Sequence, residues 1–185
     1  MRLSGITPES FVDGPGLRFV IFVQGCLHRC PHCQNPETWD INAGREFSVR
    51  QLVRMLKPHG KTKQGITLSG GEPFLQAGEL AQVAAAARNI GLDVVTYTGF
   101  TYEQLVQSGD SDRKALLLAS DILIDGRYID GLKSMTLQFR GSSNQRVIDI
   151  AKTQKEGRIV LWGETGFESK PGNRDIPLLA LQGTS

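Results

Sequence analysis

The chain has 185 residues, 39% of them hydrophobic, and a formal net charge of +2. That length suits one globular domain, 1–185, with a real core, and the near-neutral charge argues against a strong nucleic-acid footprint. No apolar run reaches membrane-spanning length and the N-terminus lacks a signal-peptide pattern, so the expected setting is the cytoplasm, with no membrane or nucleic-acid partner.

In chain order, Asp13-Gly14-Pro15-Gly16 is a turn. Residues 17–23 follow as a β-branched and aromatic run that reads as a buried parallel strand. Gly25 ends it, and Cys26-x-x-x-Cys30-x-x-Cys33 opens at its carboxyl end, where ligands bind in α/β sheets and barrels. These three are the chain's only cysteines. An odd number closes no disulfide framework, and free clustered thiols belong in a reducing compartment.

Soft thiolates select iron–sulfur clusters, zinc or Cu(I) over hard cations. Ferredoxin-type runs supply a fourth cysteine, and this chain has none, so a four-iron cluster here leaves one iron open to a non-protein ligand. The zinc alternative is a Cys3His site using His28 or His32, in a loop where such crowding strains tetrahedral geometry. Pro31, Arg29 and two histidines mark the segment as a loop and not a core strand.

Further along, Ser48-x-x-Gln51 is a capping box, followed by an apolar stripe of Val49, Leu52, Val53 and Leu56. Residues 65–69 form the next short strand, and Gly70-Gly71-Glu72-Pro73 turns at its end. Two glycines let backbone approach a ligand closely, although a tight strand-to-helix turn needs the same residues. An alanine-rich helix is expected over 74–89, stopped near Gly91. Residues 93–97 read as the third strand, turning at Thr98-Gly99; Thr101-x-x-Gln104 caps another helix; residues 120–125 read as the fourth strand. Residues 145–150 and 158–162 are further strand candidates. Such alternation implies parallel strands with right-handed crossovers. A closed barrel takes about 250 residues, so the expectation is α/β, an incomplete (open) parallel (βα) barrel of about five or six units. Residues 163–185 are expected to form an irregular C-terminal tail.

Two segments admit two readings. Asp125 ends the fourth strand on the face of the cysteine loop and is placed to meet a ligand, or it is simply a turn-forming Asp-Gly. Arg140-Gly141-Ser142-Ser143-Asn144-Gln145-Arg146 is a solvated loop, or a set of arginines and amides that holds a carboxylate or a partner's loop.

Cys26-x-x-x-Cys30-x-His32-Cys33 with the downstream Gly70-Gly71-Glu72 resembles the radical S-adenosylmethionine superfamily. Residues 12–18, 25–26 and 35–39 resemble the activating enzymes of glycyl radical proteins, and residues 121–128 with 140–146 the branch that serves anaerobic ribonucleotide reductases. The resemblance covers roughly residues 1 to 150 and implies the radical S-adenosylmethionine type of incomplete barrel.

The resemblance implies that Cys26, Cys30 and Cys33 hold a [4Fe–4S] cluster whose fourth iron is chelated by S-adenosylmethionine. Gly70, Gly71 and Glu72 then receive the methionine amino group, and His32 lies by the adenine. Cys33, Gln34, Thr98, Asp125, Gly126 and Arg127 complete the cofactor contacts, while Arg140, Ser142, Asn144 and Arg146 serve the cofactor or the partner. The implied reaction is reductive cleavage of S-adenosylmethionine and abstraction of an α-hydrogen from a glycine of the partner, leaving a glycyl radical. No side chain is needed as acid or base, because the cofactor carries the chemistry. With no second cluster encoded, a low-potential donor such as a flavodoxin is implied. Three rivals stand beside this: an activase of the pyruvate formate-lyase type, a small-molecule radical enzyme such as a deazaguanine-forming synthase, and a non-catalytic zinc module. The 35–39 and 140–146 stretches argue against the small-molecule enzyme.

Overall fold

The computed structural model describes residues 1–60 and 62–163. In chain order the elements are β1 (Arg2–Ser10), β2 (Arg18–Val23), β3 (Arg45–Glu46), α1 (Val49–Leu56), β4 (Gly65–Gly70), α2 (Ala77–Asn89), β5 (Asp93–Tyr97), α3 (Tyr102–Gln107), α4 (Ser111–Ala119), β6 (Ile122–Asp125), β7 (Arg146–Asp149) and α5 (Ile150–Glu156). The strands form one open sheet in the order β3-β1-β2-β4-β5-β6-β7.

The α/β class holds, and the sheet is open. It is mixed, however, where all-parallel strands were expected. Only the β2–β4, β4–β5 and β5–β6 pairings are parallel; β1 pairs antiparallel with both β2 and β3, and β7 pairs antiparallel with β6. That gives fewer βα units than the five or six expected. The reason lies in the connections. A parallel return needs a crossover of a dozen or more residues, usually a helix. The β1–β2 link is short, and the long β6–β7 link contains only the 3₁₀ turn Asp130–Leu132 among named elements.

Local signals place the helices. Ser48 and Thr101 make full capping boxes with Gln51 and Gln104 at the starts of α1 and α3. The helix expected over 74–89 begins as a 3₁₀ turn, Pro73–Gln76, and becomes α-helical at α2. Two helices went unanticipated: α4, capped by Asp110, and α5, capped by Asp149. The strand expected over 145–150 stops at that Asp149 cap, and the one expected over 158–162 is reduced to an isolated bridge between Ile148 and Leu161. Gly157, in the left-handed conformation at the end of α5, turns the chain between them. The irregular tail expected over 163–185 lies, except for Gly163, outside the described residues.

Alternation along the strands sorts the core into two faces. Phe19, Ile21, Val23, Ile66, Leu68, Val94 and Leu123 pack with Leu52, Leu56, Leu80, Val83 and Leu116 of the helices. On the opposite face Val95, Ile122 and Ile124 pack with Tyr97, Phe139, Val147 and Trp162. Arg18, fully buried, closes the amino ends of the strands. Its guanidinium donates to Thr67 Oγ1 (2.7 Å), Pro15 O (2.9 Å), Ile66 O (2.6 Å) and Asp93 Oδ1 (2.5 Å). No helix among the described residues is long and apolar enough to cross a membrane. The parallel strands end together, and their carboxyl-end loops carry the residues singled out above.

Candidate functional site

The cysteine loop leaves β2 at Gln24, whose buried side-chain amide donates to Glu37 O (3.0 Å) and Asp40 O (2.7 Å). Gly25 N donates to Thr38 O (2.7 Å) and Cys26 N to Trp39 O (3.3 Å). These bonds close residues 24–40 into one compact excursion. Inside it Arg29 (φ 47°) and His32 (φ 57°) take the left-handed conformation, which non-glycine residues seldom adopt. The loop is thus wound tightly at two points between its cysteines.

All three thiols are free and half-buried. Cys33 Sγ accepts from Asn35 N at 3.4 Å, and the nearby backbone N–H groups of His28 and Arg29 favour the Cys26 thiolate, as that of Tyr128 does the Cys30 thiolate. Burial nevertheless pushes the Cys26 and Cys30 thiols above their ordinary pKa, and coordination to a metal deprotonates a thiol outright. Three soft thiol donors in one half-buried loop are the kind of donor set that holds an iron–sulfur cluster. The donor set therefore fits such a group. For the Cys3His alternative, His28 Nε2 is bonded to Glu72 and His32 is exposed. Among the described residues no group of three His, Cys, Asp or Glu is arranged around a single ion.

The glycine turn at the end of β4 is zipped onto this loop. Gly71 N donates to Val23 O (2.8 Å) and Glu72 N to Gly25 O (2.7 Å). Gly70 sits at φ +92°, where a Cβ would come within 2.8 Å of the Val23 backbone, and a Cβ on Gly71 would fall on the Gly25 carbonyl. Glycine is required at both positions by close backbone approach. Glu72 is 1% exposed, and its carboxylate accepts four bonds: Phe74 N (3.0 Å), Thr98 Oγ1 (2.9 Å), Gly99 N (2.8 Å) and His28 Nε2 (2.8 Å). Those fill the roughly four acceptor positions of a carboxylate.

Asp125 is also buried and engaged. Its oxygens accept from Arg146 Nε (3.0 Å), Arg146 Nη2 (2.5 Å) and Tyr102 N (2.8 Å), and Arg146 forks on to Glu103 (3.0 and 2.8 Å). Here the site reading and the scaffold reading part. The Asp125 carboxylate is spent on the scaffold, while Gly126 and the exposed Arg127 lead into Tyr128, whose backbone N–H lies near enough to favour the Cys30 thiolate. The 140–146 run is folded on itself: Arg140 Nη1 donates to Gln145 O (2.7 Å), Asn144 Nδ2 to Arg127 O (2.8 Å), and Ile129 N to Ser142 Oγ (3.2 Å). It lies beside the cysteine loop, since a Cβ on Gly141 would meet the Tyr128 ring at 3.0 Å and Gln34 Nε2 at 3.5 Å.

The structure thus ties Gly71, Glu72 and Thr98 to Val23 and Gly25, the latter just before Cys26, in one hydrogen-bonded set, and places Gln34, Tyr128 and Gly141 close together, with Tyr128 and Arg127 near Cys30. His32 joins neither through any contact among the described residues. Sequence reasoning missed Gln24, Tyr128, Gln145 and the partner of His28. None carries a local signal, because each acts through residues distant in the chain; only the buried amides of Gln24 and Gln145 in loop contexts hint at a bridging role.

Comparison with known proteins gives four consistent matches. The 4Fe-4S single cluster domain family matches residues 12–148. The anaerobic ribonucleoside-triphosphate reductase-activating protein of Salmonella typhi is 34% identical over 155 residues, 80% of this chain and 97% of that protein. The protein of the same name from Enterobacteria phage T4 is 35% identical over 152 residues, 80% of this chain and 93% of its own length. The pyruvate formate-lyase-activating enzyme of Staphylococcus aureus (strain USA300) is 32% identical over 167 residues, 87% of this chain and 66% of that enzyme.

Proposed function

On the premise that this chain belongs to the 4Fe-4S single cluster domain family, among the radical S-adenosylmethionine activating proteins of glycyl radical enzymes, we propose that it installs the glycyl radical of an anaerobic ribonucleoside-triphosphate reductase. The observation that carries this reading is the joining of two loops. Three free, half-buried thiols sit on one loop, and that loop is hydrogen-bonded to a Gly-Gly-Glu turn.

Cys26, Cys30 and Cys33 hold a [4Fe–4S] cluster and leave one iron without a protein ligand. When bound, the cluster and S-adenosylmethionine supply one-electron cleavage chemistry that removes an α-hydrogen from a glycine. The chain's own residues supply position. Gly70 and Gly71, half-buried at the end of β4 and bonded to the chain entering the cysteine loop, receive the methionine end of the cofactor. Glu72 holds that turn in place through its four bonds. His32 and Gln34 are the exposed residues flanking Cys33 and serve the adenine end, and Thr98, Gly126 and Arg127 complete the cofactor contacts. Asp125 contributes by fixing β6 to β7 through Arg146. Arg140, Ser142 and Asn144 shape the wall facing the partner.

The open sheet, with its site loops gathered at one end, is the wall of an incomplete radical S-adenosylmethionine barrel, and its open side admits a protein loop. The electron comes from a low-potential donor such as a flavodoxin, and the reaction belongs in a reducing cytoplasm.

The test is anaerobic. The reconstituted protein is mixed with S-adenosylmethionine, reduced flavodoxin and either an anaerobic ribonucleotide reductase or a pyruvate formate-lyase. A glycyl radical doublet in the EPR spectrum is expected on the reductase. A doublet on the lyase alone overturns the choice of partner, and 5′-deoxyadenosine without any protein radical points to a small-molecule substrate.

A further inference from the structure

His28 lies midway between Cys26 and Cys30 and belongs to neither the glycine turn nor the thiol set. Its ring is nonetheless closely socketed. The side chain is 8% exposed. Nε2 meets Glu72 Oε2 at 2.8 Å, and because a carboxylate only accepts, that nitrogen carries the hydrogen. The ring edge packs on Phe100, centroids 4.6 Å apart at 72°, and the Arg113 guanidinium lies 4.8 Å from the centroid of that same Phe100 ring. Gly99 has no room for a Cβ because the imidazole occupies the space. A cradle emptied of side chain, an aromatic wall and a buried acceptor converge on one residue.

The partners of that acceptor define what the socket holds. Glu72 is bonded through Thr98 Oγ1 and Gly99 N to the end of β5, and through Phe74 N to the start of the helix that follows the turn. His28 alone extends this set into the interval between two cysteines. Its neighbour Arg29 sits at φ 47°, a conformation that persists where surrounding contacts enforce it. Pinning the ring pins the arc of chain that carries Cys26 on one side and Cys30 on the other.

We infer that His28 is a positioning residue: through Glu72 it locks the arc between Cys26 and Cys30 to the Gly70-Gly71 turn, so that the metal-holding loop and the cofactor-holding turn keep one mutual alignment. This deepens the proposed function and rests on it. Residues that hold the ligands of a metal group typically change affinity or activity by about 10- to 100-fold when altered, so the effect is measurable while the fold survives.

The experiment compares His28→Gln, which keeps an N–H donor near the same place, with His28→Phe, which keeps the ring and loses the donor. Both are made also in a Glu72→Gln background, and circular dichroism confirms that each is folded. Two readouts do not depend on turnover: the rate at which a chelator strips iron from the reconstituted protein, and the change in the EPR spectrum of the reduced cluster on adding S-adenosylmethionine. The KM for S-adenosylmethionine, followed by 5′-deoxyadenosine, is the third. His28→Phe is expected to lose iron about tenfold faster, raise KM by a similar factor and blunt the cofactor-induced spectral change. His28→Gln is expected to stay near the parent, and His28→Phe to have no further effect once Glu72 is changed. The reverse ranking, with Phe tolerated and Gln impaired, means the ring only fills space and overturns the inference. Additive effects in the Glu72→Gln background overturn it too. Failure of the parent itself to bind cluster or cofactor sinks the proposed function instead.

Discussion

Each end of the parallel strands carries a buried charged side chain, Arg18 at the amino ends and Glu72 at the carboxyl ends, and the two hold different things. At the amino ends Arg18 binds Thr67, Ile66 and Asp93, all in neighbouring strands, and Pro15 of the short turn beneath them. At the carboxyl ends Glu72 binds His28, Thr98, Gly99 and Phe74, all in loops or at a helix start. A buried charge is costly unless its partners are complete. Both sets are complete, so the difference lies in what each tethers. The first fastens the sheet together, and losing it costs stability. The second fastens loops to one another, and losing it costs alignment.

The largest effect expected from this contrast is at the amino ends. Arg18→Met keeps the apolar stem but removes the cation paired with Asp93 Oδ1 and the buried donor to Thr67 and Ile66. The Asp93 carboxylate is left only its bond from Gln64, so unfolding free energy falls by about 3 kcal/mol. A urea titration checks it as a lower midpoint at unchanged slope. The folded fraction keeps its iron-binding capacity. Loss of iron without loss of stability reverses the assigned roles.

A smaller change is expected from Gly71→Ala. The added methyl falls on the Gly25 carbonyl, one residue before Cys26. Overpacking of this kind costs about 1–3 kcal/mol, and the strain is delivered to the thiol loop, so retained iron falls along with the melting temperature. Gly5→Ala is the control, because nothing lies within 4 Å of its Cβ. It should stay within about 0.5 kcal/mol of the parent. Equal behaviour of the two variants removes the claim that the glycine turn and the cysteine loop are packed as one.

The smallest effect is a dependence on pH at the Asp125–Arg146–Glu103 fork. Hydrogen bonding from Arg146, with its positive charge, holds the Glu103 carboxyl down to about 2 against burial that opposes it. A depressed carboxylate contributes stability above its unfolded value, 4.5 here, and that contribution is lost as pH falls through about 2. Glu103 is 49% exposed, so solvent screens most of the gain. Melting curves should show Glu103→Gln slightly less stable than the parent near neutrality and equal to it at the acid end. A gap that widens in acid contradicts the sign.

The chemistry of the site was more legible than its scaffolding. Three cysteines and a glycine turn announce themselves because each motif is short and its residue types are rare. Strand β5 was found with its observed limits, and the capped starts of α1 and α3 were read from Ser48 and Thr101, since these signals are local. Strand β1 was not found: several of its positions are only half-buried, and it alternates too weakly to show a period. The direction of β7 was equally hidden, because pairing with β6 depends on a link whose conformation comes from Gln145, Asn144 and Arg140 bonding across it. The role of Glu72 was legible only in part. A carboxylate in a glycine turn reads as a ligand for a cofactor amine, and nothing in the neighbouring sequence shows that a histidine 44 residues earlier is bonded to it.

Counting the metal tests the central claim most directly. Anaerobic reconstitution followed by iron, sulfide and zinc analysis should give about four iron and four sulfide per chain, with the charge-transfer absorption lost when Cys26, Cys30 or Cys33 is replaced by alanine. Stoichiometric zinc with no uptake of iron, or full iron retained by any of the three variants, contradicts a cluster held by this loop.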